Sequence, residues 1–593
     1  MAFPKLRVPS ASRQMVDVFG GYNHNLRIGD GEFYDMKNLT SDDYPVLSSR
    51  GQRGLYIHGT PKSPKGLIAK DALCYVDEGD FVINGERFDM ELNDEPKQMV
   101  SMGGYVIILP DKKWINTADK KEAPKWGKIE AEVVTEEPVT FTPTRADGSA
   151  YEAEIMDNKA PGEPADGMLW VDTSATPHAL KQWSESAGMW VPIASTYVKI
   201  ACTGIGKAFE TYDGIQISGL TGVLKTDNDD EYEIPELAEL EGSAVVWDKG
   251  DDYITVVGIL SAARTIVSSI TISRKMPEMD FVIECGNRLW GCKYGVAANG
   301  EVVNEIYCSK LGDFKNWSCY MGISTDSWSV AVGTDGPFTG AVSHLGHPLF
   351  FKENHLHKVY ISPANAHQIT ETTCPGVQKG CGRSLAVVGN VLYYKSRNGV
   401  CAYDGSLPTE ISKAFGAVRY ENAVAGSVGS KYYISMDDME GGSHLFVYDS
   451  GKGMWHREDD LRADCFCDCR GQLYAISGEK IVSMFGGGKV EEKTVEWMAQ
   501  SGIIGLTTPD MKYISRLTLR LSLPVGSSLR AFAEYDSSGR FVHLFAVHGH
   551  GTRAFTLPVR PVRCDHMRLR LEGEGPMKLF SVTKTIEQGS DVR

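Results

Sequence analysis

A glycine, two variable positions and then a pair of large apolar or aromatic residues recur along this chain. The pattern stands at Gly286-Asn287-Arg288-Leu289-Trp290, Gly346-His347-Pro348-Leu349-Phe350, Gly389-Asn390-Val391-Leu392-Tyr393 and Gly429-Ser430-Lys431-Tyr432-Tyr433. A looser copy is Gly471-Gln472-Leu473-Tyr474, and two weaker ones are Leu73-Cys74-Tyr75 and Gly104-Tyr105-Val106-Ile107. Each reads as a glycine turn that feeds an apolar-aromatic strand. A further strand often follows, as at His357-Lys358-Val359-Tyr360 or His444-Leu445-Phe446-Val447-Tyr448. A strand-only repeat of roughly 40 to 45 residues is the length of a four-stranded propeller blade. The sequence therefore predicts an all-β chain: a β-propeller of about seven blades, whose closed ring removes long sheet edges. The 62 glycines, above the usual ~7%, suit a chain with many turns.

The repeat divides the 593 residues. Residues 1–50 are polar and turn-rich and are expected to form an extended arm lying on a larger body. Residues 51–128 hold the first blades and 280–496 the rest. The repeat is interrupted over 129–279, which reads as one or two inserted β modules with tryptophans at strand centres (Trp170, Trp183, Trp190). Loop tips of a rigid ring tolerate such insertions. From about Trp497 the period becomes two, as in Arg516-Leu517-Thr518-Leu519-Arg520-Leu521, so 497–593 is expected to be a C-terminal β-sandwich.

Charge narrows the function. The chain carries −16 overall, yet the last domain has 13 Lys and Arg against 8 Asp and Glu. A general nucleic-acid coat needs a basic surface, which the acidic body lacks. The first residues have no apolar core of the kind a secretion signal needs, and the longest clean apolar run, Tyr105–Leu109, is far short of a bilayer span. The expectation is synthesis in a cytosol without membrane insertion. Thirteen scattered cysteines, with no C-x-x-C, are not a disulfide framework.

No candidate motif rises to chemistry. His355 and His357 share a strand face and could chelate zinc, but no third ligand is visible, so they read as polar residues lining the propeller channel. Cys465, Cys467 and Cys469 alternate on one strand and read as small buried residues near the ring interior. Asp227, Asp229 and Glu231 start like a calcium loop, but Tyr232 and Ala238 stand where glycine and glutamate are required. With eight acids and no base from Asp227 to Glu241, the segment reads as a solvated acidic loop. Gly204-Ile205-Gly206-Lys207 lacks the spacing of a phosphate loop. Asn38-Leu39-Thr40 and Asn316-Trp317-Ser318 match the glycosylation pattern without a secretion signal to give it meaning. Arg516, Arg520, Arg568 and Arg570 lie on polar strand faces, where they either bind an acidic partner or are simply solvated. No catalytic, cofactor-binding or metal-binding residue is assigned, and the chain is not read as an enzyme.

Several segments resemble virion proteins of tailed bacteriophages. The run from Phe33 to Gly51, with Asn38-Leu39, an acidic turn, Pro45-Val46-Leu47 and Arg50-Gly51, resembles the start of phage tail-hub and DNA-stabilisation proteins. Asn287-Arg288-Leu289-Trp290, Ile306-Tyr307-Cys308-Ser309, Gly312-Asp313-Phe314 and Asn316-Trp317 resemble a blade of their propellers. The stretch Asp166–Thr173, with Trp183 and Trp190, is similar to small modules of phage tail proteins. The resemblance implies a tail nozzle or hub in the virion, made in the host bacterial cytoplasm. It would be a homo-oligomeric ring, six to a ring, contacting adaptor, portal or other tail proteins. Packaged DNA would pass through it without sequence-specific binding. An acidic lumen would repel the DNA backbone and help it slide. The alternatives are a host-receptor or glycan binder stacking sugars on Trp170 or Trp190, and a polysaccharide-degrading tail enzyme.

Overall fold

The computed structural model describes residues 11–118, 124–135, 138–174, 176, 178–193, 196–297, 300–362, 367–487, 489–490, 492–506, 511–557 and 559–588. Among them, seven antiparallel sheets stand in a ring, so the chain is an all-β propeller. Blades 1 and 2 span 64–89 and 98–128. Blades 3 to 6 span 281–331, 340–373, 386–410 and 420–457. Blade 7 starts at Cys465–Cys469 and continues through Gln472–Ser477 and Lys480–Ser483. Its next strand is Gly54–Leu55, from the other end of the chain, with Leu55 opposite Val482. First strands of successive blades adjoin, directly or through the 3-10 turn Gly382–Ser384, and Cys465–Cys469 returns to Pro64–Ala69. The ring is thus sealed by backbone hydrogen bonds between segments far apart in sequence.

The recurring motif sits where hairpin geometry demands it. Between Val388 and Val391 the turn has φ +61° at Gly389, and between His344 and His347 both Leu345 (+50°) and Gly346 (+76°) are left-handed. Such primed turns match the twist of the flanking strands. The apolar pair that follows is the blade's second strand, buried on both faces. Phe350 packs with Trp290 and Cys292 of blade 3, whereas Leu349 and Phe351 pack towards Tyr394 of blade 5. Tyr433 likewise faces blade 7 while Tyr432 faces blade 5. Adjacent residues point to opposite neighbours, which is why the motif holds two large side chains rather than one. Each contributes about 1.5–3 kcal/mol of burial.

The insertion contains two nested units. An eight-stranded sheet wraps around its own core of Phe141, Ile200, Ile215, Ile254 and Ile272. Between its strands Val139–Arg145 and Thr196–Ala201 lies a four-stranded unit with Trp170, Trp183 and Trp190. Buried Asp213 ties the insertion to the ring: it pairs with Arg274 and accepts from Asn316 Nδ2 of blade 3 at 3.2 Å.

Residues 11–49 do not lie on the body as an extended arm. They supply strands to both sheets of the sandwich. Ala11–Val16, Leu39–Thr40 and Leu47–Ser49 join the sheet of Lys512–Leu523, Gly551–Leu557 and Lys578–Gln588. Gly21–Tyr22 and Glu32–Lys37 join that of Glu496–Ser501, Ser528–Tyr535, Phe541–His548 and Met567–Glu574. The apolar positions of the period-two strands, such as Leu517, Leu519 and Leu521, are buried between the sheets. No helix among the described residues is long and apolar enough to cross a membrane.

The segment after these strands bolts sandwich to ring. Asn38 has φ +55°, a conformation asparagine tolerates. Its amide donates to Glu458 O at 2.6 Å and its Nδ2 to Glu496 O at 2.7 Å. Arg50 Nε donates to Asn38 Oδ1 at 2.8 Å, and its two terminal nitrogens grip Glu492 at 2.8 and 2.7 Å. Arg53 donates to Glu458 at 2.6 Å and to Asp459 at 2.5 Å. Burial alone would pull the Arg53 pKa down, but Glu458 and Asp459 outweigh it and hold it up. Ser41 Oγ adds a bond to Asp449 at 2.6 Å. Removing one partner from such a buried set strands the others. Arg50→Met is therefore expected to cost about 3–5 kcal/mol, read as an earlier first transition in urea unfolding. A loss below about 1 kcal/mol, the range of exposed pairs, would mean that the ion pairs do not hold the joint.

Candidate functional site

Propellers concentrate side chains from every blade at the axis, and here apolar and charged side chains share it. A cavity of about 670 Å³ is lined by Leu67, Met99, Phe281, Ala341, Val424 and Phe466, with Leu385 entering from blade 5. The charged groups around it are engaged. Lys97 pairs with Asp111 at 2.6 Å and Lys112 with Glu130 at 2.7 Å, and Arg383 donates to Asp464 O at 2.9 Å. The lining carboxylates, Glu278 and Asp280, come from one segment leading into blade 3, and Asp280 already accepts from Lys293 and from the Tyr294 amide. Glycoside hydrolysis needs two carboxylates flanking the bond. Here both lining carboxylates stand two residues apart on that one segment.

The histidines singled out in the sequence are not at the axis. His355 and His357 lie on the third strand of blade 4, away from the innermost strand. His357 is fully buried, with Nε2 2.8 Å from Thr334 Oγ1. Burial pushes its pKa down to about 4, with Lys352 and His355 adding to the effect. His355 instead faces Glu371 at 3.2 Å. Cys465, Cys467 and Cys469 do stand on an innermost strand, packed with Tyr56, Leu67, Tyr75 and Tyr474 between blades 7 and 1. Burial raises all three thiol pKa values, which keeps them protonated and poor as ligands or nucleophiles. No group of three or more metal-ligating side chains occurs among the described residues.

The other candidates resolve individually. Asp227 and Asp229 lie in the turn of a two-stranded hairpin, Val223–Lys225 with Glu231–Glu233, and are exposed. Gly206 packs against backbone, since a Cβ there would collide with Gly250 O. That is close strand packing rather than a phosphate cradle. Asn38 and Asn316 are buried, at 5% and 1% exposure, and unsuited to glycosylation. Arg568 approaches Glu534 at 3.7 Å and lies over the Tyr34 ring, and Arg570 pairs with Glu572 at 2.6 Å. Arg516 and Arg520 are exposed on the opposite sheet. Trp170 is buried and donates to Asp157 O at 3.0 Å, with Trp190 edge-on at 5.3 Å.

A cleft of about 1120 Å³ lies between the insertion and a loop of blade 3. Trp247, 39% exposed, stacks on Tyr197 at 5.2 Å and shares the cleft with Tyr320, Met321 and Ser243. The cleft's His178 is paired with Glu239 at 3.1 Å. Sequence alternation does not reveal Trp247. It falls at a bulge between Val246 and Asp248, which turns it outward from a strand whose Val246 is fully buried.

No family model and no curated protein matches the chain. Solved structures share its fold only loosely. PorZ, a surface component of the type-IX secretion system of Porphyromonas gingivalis, is similar over 83% of this chain and 70% of its own, at 10% identity and a TM-score of 0.26. A GH43 glycoside hydrolase is similar over 52% of this chain and 96% of its own, at 8% identity and a TM-score of 0.21. The acylaminoacyl peptidase of Pyrococcus horikoshii is similar over 61% and 56%, at 9% identity and a TM-score of 0.22. At these scores they carry no functional argument.

The buried histidines set a pH dependence. The pKa values of His357 and His367 are pushed down to about 4 and that of His456 to about 3, in each case first by burial. Their stabilisation is complete above about pH 6.5 and is lost as pH falls towards 4, because the unfolded chain binds protons that the folded one refuses. The loss is about 1.4 kcal/mol per pH unit for each such group. Urea midpoints should fall between pH 7 and 4.5, and less steeply in His357→Gln. Equal slopes in the two proteins would show that His357 is protonated in the fold.

Proposed function

We propose that the chain is a structural subunit of a tailed-bacteriophage tail, forming a nozzle or hub ring that extends the DNA conduit and helps retain and release the genome. The observation that carries this reading is the double role of the segment from Phe33 to Gly51. The residues that resemble phage tail-hub proteins are the ones that fasten sandwich to ring, through Asn38, Ser41 and Arg50. A subunit built to transmit load needs such a joint. In this reading the conduit is the hole enclosed by several subunits. The acidic surface suits passage of DNA without sticking. Adaptor, portal and other tail proteins are the expected neighbours in the virion.

A second reading is supported by Trp247: an exposed indole in the cleft of about 1120 Å³ suits stacking against a sugar of a host glycan. Negative-stain imaging with light scattering tests the first reading. A closed ring with a central hole, several-fold the subunit mass, is expected. Monomers at every concentration would overturn it. A glycan that quenches the protein's tryptophan fluorescence, and loses the effect in Trp247→Ala, would favour the second.

A further inference from the structure

The outer face of one sandwich sheet carries arginines that no group among the described residues neutralises. Lys512–Leu523 turns Leu517, Leu519 and Leu521 inward, so Arg516, Thr518 and Arg520 point outward. Thr585 lies opposite Arg516 on one side and Arg13 on the other, and Ser581 lies opposite Arg520. The face is a flat field of hydroxyls with three guanidiniums: neighbours two strands apart are ~10 Å from each other, and Arg516 and Arg520 are ~14 Å apart along their strand. Arg13, Arg516 and Arg520 are exposed, and none has an ion pair or side-chain hydrogen bond among the described residues. The nearest acid at the end of the face, Glu587, accepts from Tyr513 at 2.7 Å. Met15, 62% exposed, adds an apolar centre.

The complementary surface is on the same chain but across the ring. The hairpin Val223–Lys225 with Glu231–Glu233 projects from the insertion with Asp227, Asp230, Glu231 and Glu233 exposed, while Asp229 is taken by Lys225 at 2.8 Å. Val223, 63% exposed, shares the face of Glu231 and Glu233 and lies opposite Glu233, and Lys225 lies opposite Glu231. The sandwich is bolted to blade 6, through Asn38 to Glu458 and Ser41 to Asp449. The insertion leaves the ring between blades 2 and 3 and is tied to blade 3 by Asp213 and Asn316. In a seven-blade ring, blade 6 is three steps from either. The two surfaces therefore sit on opposite sides of the subunit and cannot meet within it.

We propose that the arginine face of one copy docks on the acidic hairpin of the next, making the head-to-tail contact of a homo-oligomeric ring. A heterologous contact between opposite sides of a subunit closes into a ring or runs on as a filament. The proposal rests on the ring reading above and adds where the subunits touch. Opposite charges supply pairing and register, and Met15 and Val223 supply apolar contact.

Sedimentation velocity of the full chain tests it, with Arg516→Glu/Arg520→Glu and Glu231→Lys/Glu233→Lys as paired charge reversals. Each pair alone is expected to weaken assembly tenfold or more, while far-ultraviolet circular dichroism and the urea midpoint stay unchanged. An equimolar mixture of the two should reassemble, because each restores opposite charge to the other's contact. Assembly that ignores both reversals overturns this contact and leaves the ring reading standing. A wild-type chain that never assembles overturns both. Duplex DNA that binds the wild type and not the arginine variant, with assembly unaltered, would make the face a nucleic-acid site and overturn the proposal.

Discussion

Two buried arginines hold this molecule's two halves in one frame. Arg50 and Arg53 reach from the segment leaving the sandwich into carboxylates at the end of blade 6 and before the last sandwich strands, Glu458, Asp459 and Glu492. Burying these charges is costly, and the arrangement persists because nearly every donor has an acceptor. A hydrophobic joint would slide; this one has a register set by the forked guanidinium geometry. Glu492 shows the coupling in its ionisation. Burial would raise its pKa, but Arg50 and the Arg53 amide hold it below the usual carboxylate value. Strong acid would protonate it and loosen the joint.

Much of the ring was legible because its physics is periodic. A blade's second strand is buried on both faces, so Leu349-Phe350-Phe351 or Tyr432-Tyr433-Ile434 must be continuously apolar, and the hairpin before it needs a left-handed turn. Those two demands repeat with the blade. The sandwich was legible for a similar reason, since Arg516 to Leu523 alternates strictly. The arm was not. Gly21–Tyr22 and Leu39–Thr40 are two-residue strands, too short to carry a period, and the strands they pair with, Glu32–Lys37 and Leu47–Ser49, go on to partners hundreds of residues away.

Side-chain roles followed the same division. The cysteine stripe of blade 7 obeys strand alternation and lies where expected. His355 and His357 share a strand but have unlike surroundings, because the third strand of a blade meets a neighbouring blade, not the axis. Trp247 owes its exposure to a bulge, a backbone irregularity that residue types do not announce.

The strand Gly54–Leu55 carries a consequence for how the chain is made. It is translated early, yet its hydrogen-bonding partner Lys480–Ser483 emerges some 425 residues later. At the ~5–20 residues per second of synthesis, that edge stays open for roughly twenty seconds to a minute and a half. During that interval blades 1 and 2 have no closed circle to join. Nascent chains on neighbouring ribosomes could pair there instead, so timing as well as stability governs the yield of closed rings.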